Sequence, residues 1–372
     1  SAMESTLTRS APVKPAADSE PVERPPVLAW LRGQLLAVDV CIIGFVGGLI
    51  LWALLGMAVP SARIYPYDAR YAWAEMPAWS LVIRLAEILC VYLIAQRFGI
   101  YYHRNYTATG RKPPLWLSIA NLIYVFIPIL LLPLVFNMLG AFISGVSGVP
   151  GVQTHPAYDP SAHYDHAATY WDLWLKDADT SLTGVYPATW LRQFHAPWNT
   201  GLLLLCYLAY YVSPLIAVVP QLVKRKWRRV RRCAAIYGGA LLMSYVGYIL
   251  VPATGPRFEG GFSRWIVDPP GWFATDFWQR TLDNAEVIRW DAFPSGHVAL
   301  ATVALILALR YHRKTGLGYL PFVIGLPLAT VFLGYHYLTD VLIGFGFVLA
   351  TFLILEPAVR WWESIWRLPE QT

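Results

Sequence analysis

Three short stretches bring together residue types that can do chemistry on a phosphate: "PATGPRF" at 252–258, "DAFPSGH" at 291–297 and "GYHYLTD" at 334–340. In the last, His336 and Asp340 are four residues apart, which predicts that both lie on one face of a helix. A carboxylate there can accept a hydrogen bond from one ring nitrogen. That fixes the tautomer and leaves the other nitrogen as nucleophile or base. In the second, Pro294 suits a first helical turn, and Ser295 and Gly296 leave backbone N–H groups open. A helix N-terminus with free N–H groups is an anion site, and His297 would stand beside the bound anion. Arg257 supplies a guanidinium suited to bidentate phosphate binding. Two histidines, a carboxylate, an arginine and a helix N-terminus together describe phosphoryl transfer through a histidine. A lone histidine at a span end or a lone arginine in a loop is ordinarily interfacial. The combination is what carries the reading.

The elements that must position these residues are membrane helices. Of the 372 residues 56% are hydrophobic and only 14% charged, against about 25% charged in a soluble domain. Runs of about 20 apolar residues can each cross a bilayer, and helices satisfy their own backbone groups there. The expected fold is an all-α, polytopic helical bundle of about eight spans, near 35–58, 79–100, 115–140, 199–222, 233–252, 296–310, 317–335 and 338–358. The net charge of +6 does not point to nucleic acid. "KRKWRRVRR" at 224–232, "RYHRK" at 310–314 and "YYHRNYTATGRK" at 101–112 all fall in connections between spans. The positive-inside rule places them, and both termini, in the cytoplasm. Arg257, His297 and His336 then share the opposite, non-cytoplasmic face. The expected setting is a multi-pass protein of the plasma membrane.

These motifs, in this order and with the spans between them, resemble the type-2 phosphatidic acid phosphatase superfamily of lipid phosphate phosphatases and phosphotransferases. The resemblance covers roughly residues 115–358 and implies a six-helix core. It implies that His336 takes the phosphoryl group as a phosphohistidine, that Asp340 orients it, and that His297 protonates the departing alkoxide. Arg257, Ser295 and the Gly296 amide resemble the phosphate cradle. No cofactor and no metal is implied. The partners implied are a lipid phosphate in the membrane and a small alcohol acceptor. The sequence departs from the pattern at Leu250 and Thr330, where the family usually carries Lys and Arg. The stretch "DADTSLTGVYPATWLRQFHAPW" at 177–198 looks like the inositol phosphorylceramide synthase-like branch. A head-group phosphotransferase is therefore the leading expectation. A lipid phosphate phosphatase is the alternative, with Lys176, Arg192, Arg264, Arg280 and Arg289 available to replace the missing cations. A non-enzymatic lipid-phosphate transporter would share the helices but would not need His336 with Asp340.

The expected organisation is a disordered cytoplasmic tail at 1–27, two extra spans within 28–114, the core at 115–358 with outer loops 141–198 and 253–295, and a cytoplasmic tail at 359–372. The opening "SAM" reads as an expression scar, and the tail behind it is too polar and proline-rich to fold alone. His155, His163 and His166 with Asp159 and Asp165 could bind a divalent metal, but Pro156 and Pro160 interrupt the segment, and a solvated loop or a head-group lid fits as well. Asp39, Arg84 and Glu87 lie inside spans, where ionisable residues are functional candidates. Arg84 and Glu87 are spaced to pair. Asp291 either caps the following helix or steers His297. Cys41, Cys90, Cys206 and Cys233 show no metal-ligand spacing and are expected to be free thiols.

Overall fold

The computed structural model describes residues 35–58, 78–107, 111–146, 170–258, 277–278, 281–282 and 290–364. The expectations for 1–27, for the histidines and aspartates of 155–166, and for Arg264, Arg280 and Arg289 fall outside these residues. Among the described residues the structure is all-helical, with no strand. The helices are α1 (Ala37–Ala58), α2 (Ala78–Tyr102), α3 (Leu115–Val146), α4 (Tyr170–Thr183), α5 (Pro187–Trp190), α6 (Pro197–Leu208), α7 (Ser213–Val223), α8 (Trp227–Leu250), α9 (Gly296–Tyr311), α10 (Arg313–Phe332), α11 (Leu338–Ala350) and α12 (Glu356–Glu363). Seven helical stretches among them are long and apolar enough to cross a membrane, α6 with α7 and α11 with α12 each forming one. The chain is an integral membrane protein.

The eighth expected span, α9, is different in kind. It has 16 residues, fewer than the seven, and it is the centre of the bundle. It packs against α7, α8, α10 and α11, and residues from Val298 to Ala308 are almost all buried. Its small residues, Ala299, Ala301, Ala304 and Ala308, let the neighbours approach closely, as membrane helix packing requires.

The single span expected at 199–222 is broken. Pro214 cannot donate to the carbonyl four residues before it, and the chain passes through a 3-10 turn, Ala209–Val212. The Tyr319 hydroxyl donates to the carbonyl of Ala209 at 3.0 Å, satisfying a backbone group at the break. The break points Tyr210 and Tyr211 at α9. The basic connections are also tighter than expected. One residue, His312, joins α9 to α10, and three, 224–226, join α7 to α8. The arginines at 228–232 therefore belong to the first turns of α8.

The basic segments gather at one end of the bundle. The Tyr102 and Trp227 rings meet at 5.8 Å, Arg229 lies 5.4 Å over Tyr311, and Arg310 bridges to Glu356 at 2.6 Å. Trp362 donates to the carbonyl of Leu35 at 2.9 Å, bringing both described ends of the chain there too. Asp39, one of the intramembrane candidates, is a fastening near this end. Its carboxylate accepts from the hydroxyls of Tyr92 at 2.6 Å and Tyr124 at 2.8 Å, from Gln96 at 3.2 Å and from its own helix start at Leu36 at 2.7 Å. It thereby ties α1 to α2 and α3. Arg84 and Glu87 face outward from α2.

Candidate active site

The three motifs meet at the opposite end. Ser295 caps α9, its hydroxyl accepting from the amide of Val298 at 3.4 Å. The helix therefore starts at Gly296, and Pro294 stands before the cap rather than in the first turn. Asp291 is not the cap. Gly296 is needed because the Tyr248 hydroxyl occupies the space a Cβ would fill. His297 follows as the second residue of the helix. It is held between aromatic rings, with Tyr207 stacked at 4.7 Å and Tyr210 at 4.2 Å.

His336 arrives from α10 through a turn, and the expectation that it shares a helix with Asp340 needs correction. Asp340 accepts from the amide of Tyr337 at 2.9 Å. That satisfies an open N–H at the helix start, so α11 begins at Leu338 and His336 lies just ahead of it. The Asp340 carboxylate is still 3.6 Å from His336 Nδ1. The nearer partner is the carbonyl of Ala292, at 2.7 Å from the same nitrogen. A carbonyl can only accept, so Nδ1 carries the proton and Nε2 of the neutral ring keeps its lone pair. His297 Nδ1 is 3.0 Å from that Nε2.

Arg257 completes the group. Its amide donates to the carbonyl of Gly334 at 2.8 Å, and its guanidinium lies 4.3 Å over the Tyr335 ring. The turn that carries it depends on Gly255, whose φ is +88° and whose missing Cβ leaves room for the carbonyl of Tyr335. A small cavity is lined by Tyr207, Thr254, Arg257, Asp291, His297, Tyr335 and His336. Arg257, His297 and His336 are thus brought to one space, whereas Ser295 and Gly296 lie outside that lining, behind His297. Of the two departures from the family pattern, Leu250 is exposed at the end of α8. Thr330 is buried, its carbonyl accepting from the amides of Tyr335 and His336 at 2.9 and 3.2 Å.

Sequence reasoning missed the part that holds the motifs together. Helix α4 lies across the site end, and two of its three aspartates, Asp172 and Asp179, are fully buried. Asp172 accepts from the amides of Thr254 at 2.8 Å and Gly255 at 3.0 Å and from the Tyr337 hydroxyl at 3.1 Å. Asp179 accepts from the amides of Leu338 and Thr339, both at 2.7 Å, and from the Thr339 hydroxyl at 2.6 Å. Burial pushes the Asp179 carboxyl above the usual carboxylate range, with the donors from Thr339 and Leu338 opposing it. One aspartate therefore fixes the arginine turn and the other fixes the start of α11. A signal was present: Asp172, Leu175 and Asp179 repeat at three- and four-residue steps, which places them on one helix face.

Residues 173–354 match the family model of the PAP2 superfamily. This segment belongs to that superfamily, the type-2 phosphatidic acid phosphatases and their relatives. Comparison with curated proteins gives no match, and comparison with solved structures gives none. Helices α1 to α3 lie outside the matched segment.

Proposed function

We propose that the protein cleaves a lipid phosphoester through a phosphohistidine and passes the phosphoryl-bearing group to an alcohol. The observation that carries this reading is the tautomer of His336. Its Nδ1 is engaged by the Ala292 carbonyl, so the lone pair on Nε2 faces the shared cavity. In the first step that lone pair attacks phosphorus and the P–O bond to the leaving group breaks. The departing alkoxide takes a proton from His297 in its imidazolium form. In the second step an acceptor hydroxyl gives its proton to His297 and attacks phosphorus, and the bond to His336 breaks. Arg257 offsets the charge on the peripheral oxygens, with the start of α9 at Ser295 and Gly296 behind it. Asp340 stabilises the positive charge on His336 as the bond to phosphorus forms. No cofactor or metal enters this scheme.

The transferase reading over the phosphatase reading rests on charge. Among the described residues the cavity lining holds one guanidinium, and one carboxylate, Asp291, partly offsets it. A phosphomonoester dianion needs several fixed cations around it, while a phosphodiester carries a single negative charge. Leu250 and Thr330 supply no cation where the family usually has two. The test offers purified protein a phosphatidate-like monoester, then a diester phospholipid with and without a hydroxyl acceptor such as inositol or a ceramide. Acceptor-dependent lipid product is expected. Rapid release of inorganic phosphate from the monoester, with no acceptor-dependent product, would replace the transferase by a lipid phosphatase. By the positive-inside rule the site faces away from the cytoplasm, since the basic segments gather at the far end of the bundle.

A further inference from the structure

A second cavity, of about 360 Å³, opens beside the first. It runs between α3, α7 and α8, and two residues, Asp291 and His297, line both cavities. From Tyr248 at the site end its wall descends along one face of α8 to Ala234. Those fourteen residue steps correspond to about 21 Å at the helical rise, more than the roughly 15 Å of one leaflet's hydrocarbon. The facing wall is α3, from Phe136 down to Val125, and it includes Pro128 and Pro133. Each proline removes an intrahelical hydrogen bond and bends its helix, and here both bends lie on the cavity wall. Two of the five tyrosines of the wall have their hydroxyls engaged by protein: Tyr237 bonds Ser213 at 2.7 Å, and Tyr245 donates to the carbonyl of Leu132 at 3.2 Å. The wall is mostly aliphatic carbon and aromatic ring, with Asp291 and His297 at the mouth.

We propose that this cavity receives one hydrocarbon chain of the lipid whose phosphate is cleaved at His336, and so selects substrates by chain length. The inference rests on the function proposed above and deepens it. Five of the seventeen lining residues come from α3, which lies outside the superfamily match, and the other twelve lie within it. The α3 side of the cavity is therefore contributed by a helix outside the matched segment. The occupant is an apolar chain attached to a phosphoester, because the cavity meets the phosphate site at Asp291 and His297, which line both and are the ionisable residues other than tyrosine among the described lining.

Two measurements test it. In the first, the full-length protein in detergent is exposed to a long-chain alkylphosphonate bearing a diazirine at its terminal carbon. Crosslinks are expected at the deep end, on Val125, Pro128, Val218 or Ala234, and are expected to be lost in Ala234→Phe. Crosslinks confined to the outward-facing Leu130 and Leu134, or unaffected by filling the cavity, would overturn the proposal. In the second, kcat/KM is measured for long- and short-chain substrates in mixed micelles. Ala234→Phe should lower the long-to-short ratio about tenfold or more, as removal of a fitted apolar pocket does. Leu241→Trp should do the same, guarding against misfolding of one variant. Val246→Phe, on the exposed face of α8, should leave the ratio unchanged. A ratio that moves equally in all three would overturn the proposal. A wild-type protein that turns over no lipid phosphoester would refute the proposed function, while the crosslinking would still decide where the chain sits.

Discussion

His297 Nδ1 and His336 Nε2 stand 3.0 Å apart, so the two rings are hydrogen-bonded to each other in the space where phosphorus must sit. In the proposed mechanism a bound phosphoester has to part them, and once parted they face it from two sides as nucleophile and acid. His336→Ala should abolish turnover and any acid-labile phosphoenzyme. His297→Ala should cost about 10²–10⁴ with an alkyl leaving group, the usual worth of a general acid. The same variant should lose far less with a nitrophenyl ester, whose leaving group needs no proton. Equal losses with both esters would remove His297 from the acid role.

Asp172 and Asp179 should behave as braces. Asp172→Ala leaves two buried amides and a hydroxyl without their acceptor, at about 1–3 kcal/mol for each group. The melting temperature should fall, and the KM for phosphoester should rise as the Arg257 turn loosens. Asp172→Asn keeps an acceptor oxygen and should lie between wild type and Ala. A thermal shift assay alongside steady-state kinetics checks both readouts.

Gly255→Ala isolates the arginine turn. The residue's positive φ disfavours any side chain, and the new methyl would press on the carbonyl of Tyr335. Activity should drop at least tenfold through displacement of Arg257, while helix content measured by circular dichroism stays constant.

Leu250→Lys probes the charge argument. Leu250 is 60% exposed, so a lysine there carries little packing cost. The added cation should raise monoester hydrolysis relative to diester transfer by several-fold. An unchanged ratio of the two activities would count against the charge-based choice between them.

Sidedness is read with an impermeant thiol reagent on intact cells, in a background without the four native cysteines. Asp177→Cys, on the exposed face of α4, should label, and Arg228→Cys should not. The opposite pattern would invert the topology.

Much of this site was legible because its chemistry is local. "FPSGH" and "GYHYLTD" each hold a histidine beside a helix start, and apolar length alone marked the helices that carry them. What stayed hidden was held by contacts distant in the chain. The partner of His336 is a backbone carbonyl 44 residues away, and no side chain announces a carbonyl. Asp172 reaches Tyr337 across 165 residues from a segment whose many aspartates and histidines read as a solvated loop. Pro214 was visible, but its effect depends on Tyr319 meeting the carbonyl at the break. Placing His336 on the helix of Asp340 came from applying an i, i+4 rule without the cap, since Asp340 serves the amide of Tyr337 first.

Helix α9 has one more consequence, and it concerns depth. Its 16 residues span about 24 Å, and the hydrocarbon core is about 30 Å thick. Set with Tyr311, among the basic residues, at one boundary, the helix ends roughly 6 Å short of the opposite one. In the proposed mechanism the reaction then takes place in a recess beneath the head-group plane. A lipid phosphate must sink to reach it, and a second reactant must be lowered to the same level. A hydroxyl carried on a membrane-embedded molecule is delivered to that level by its own anchor, whereas water has to be let in.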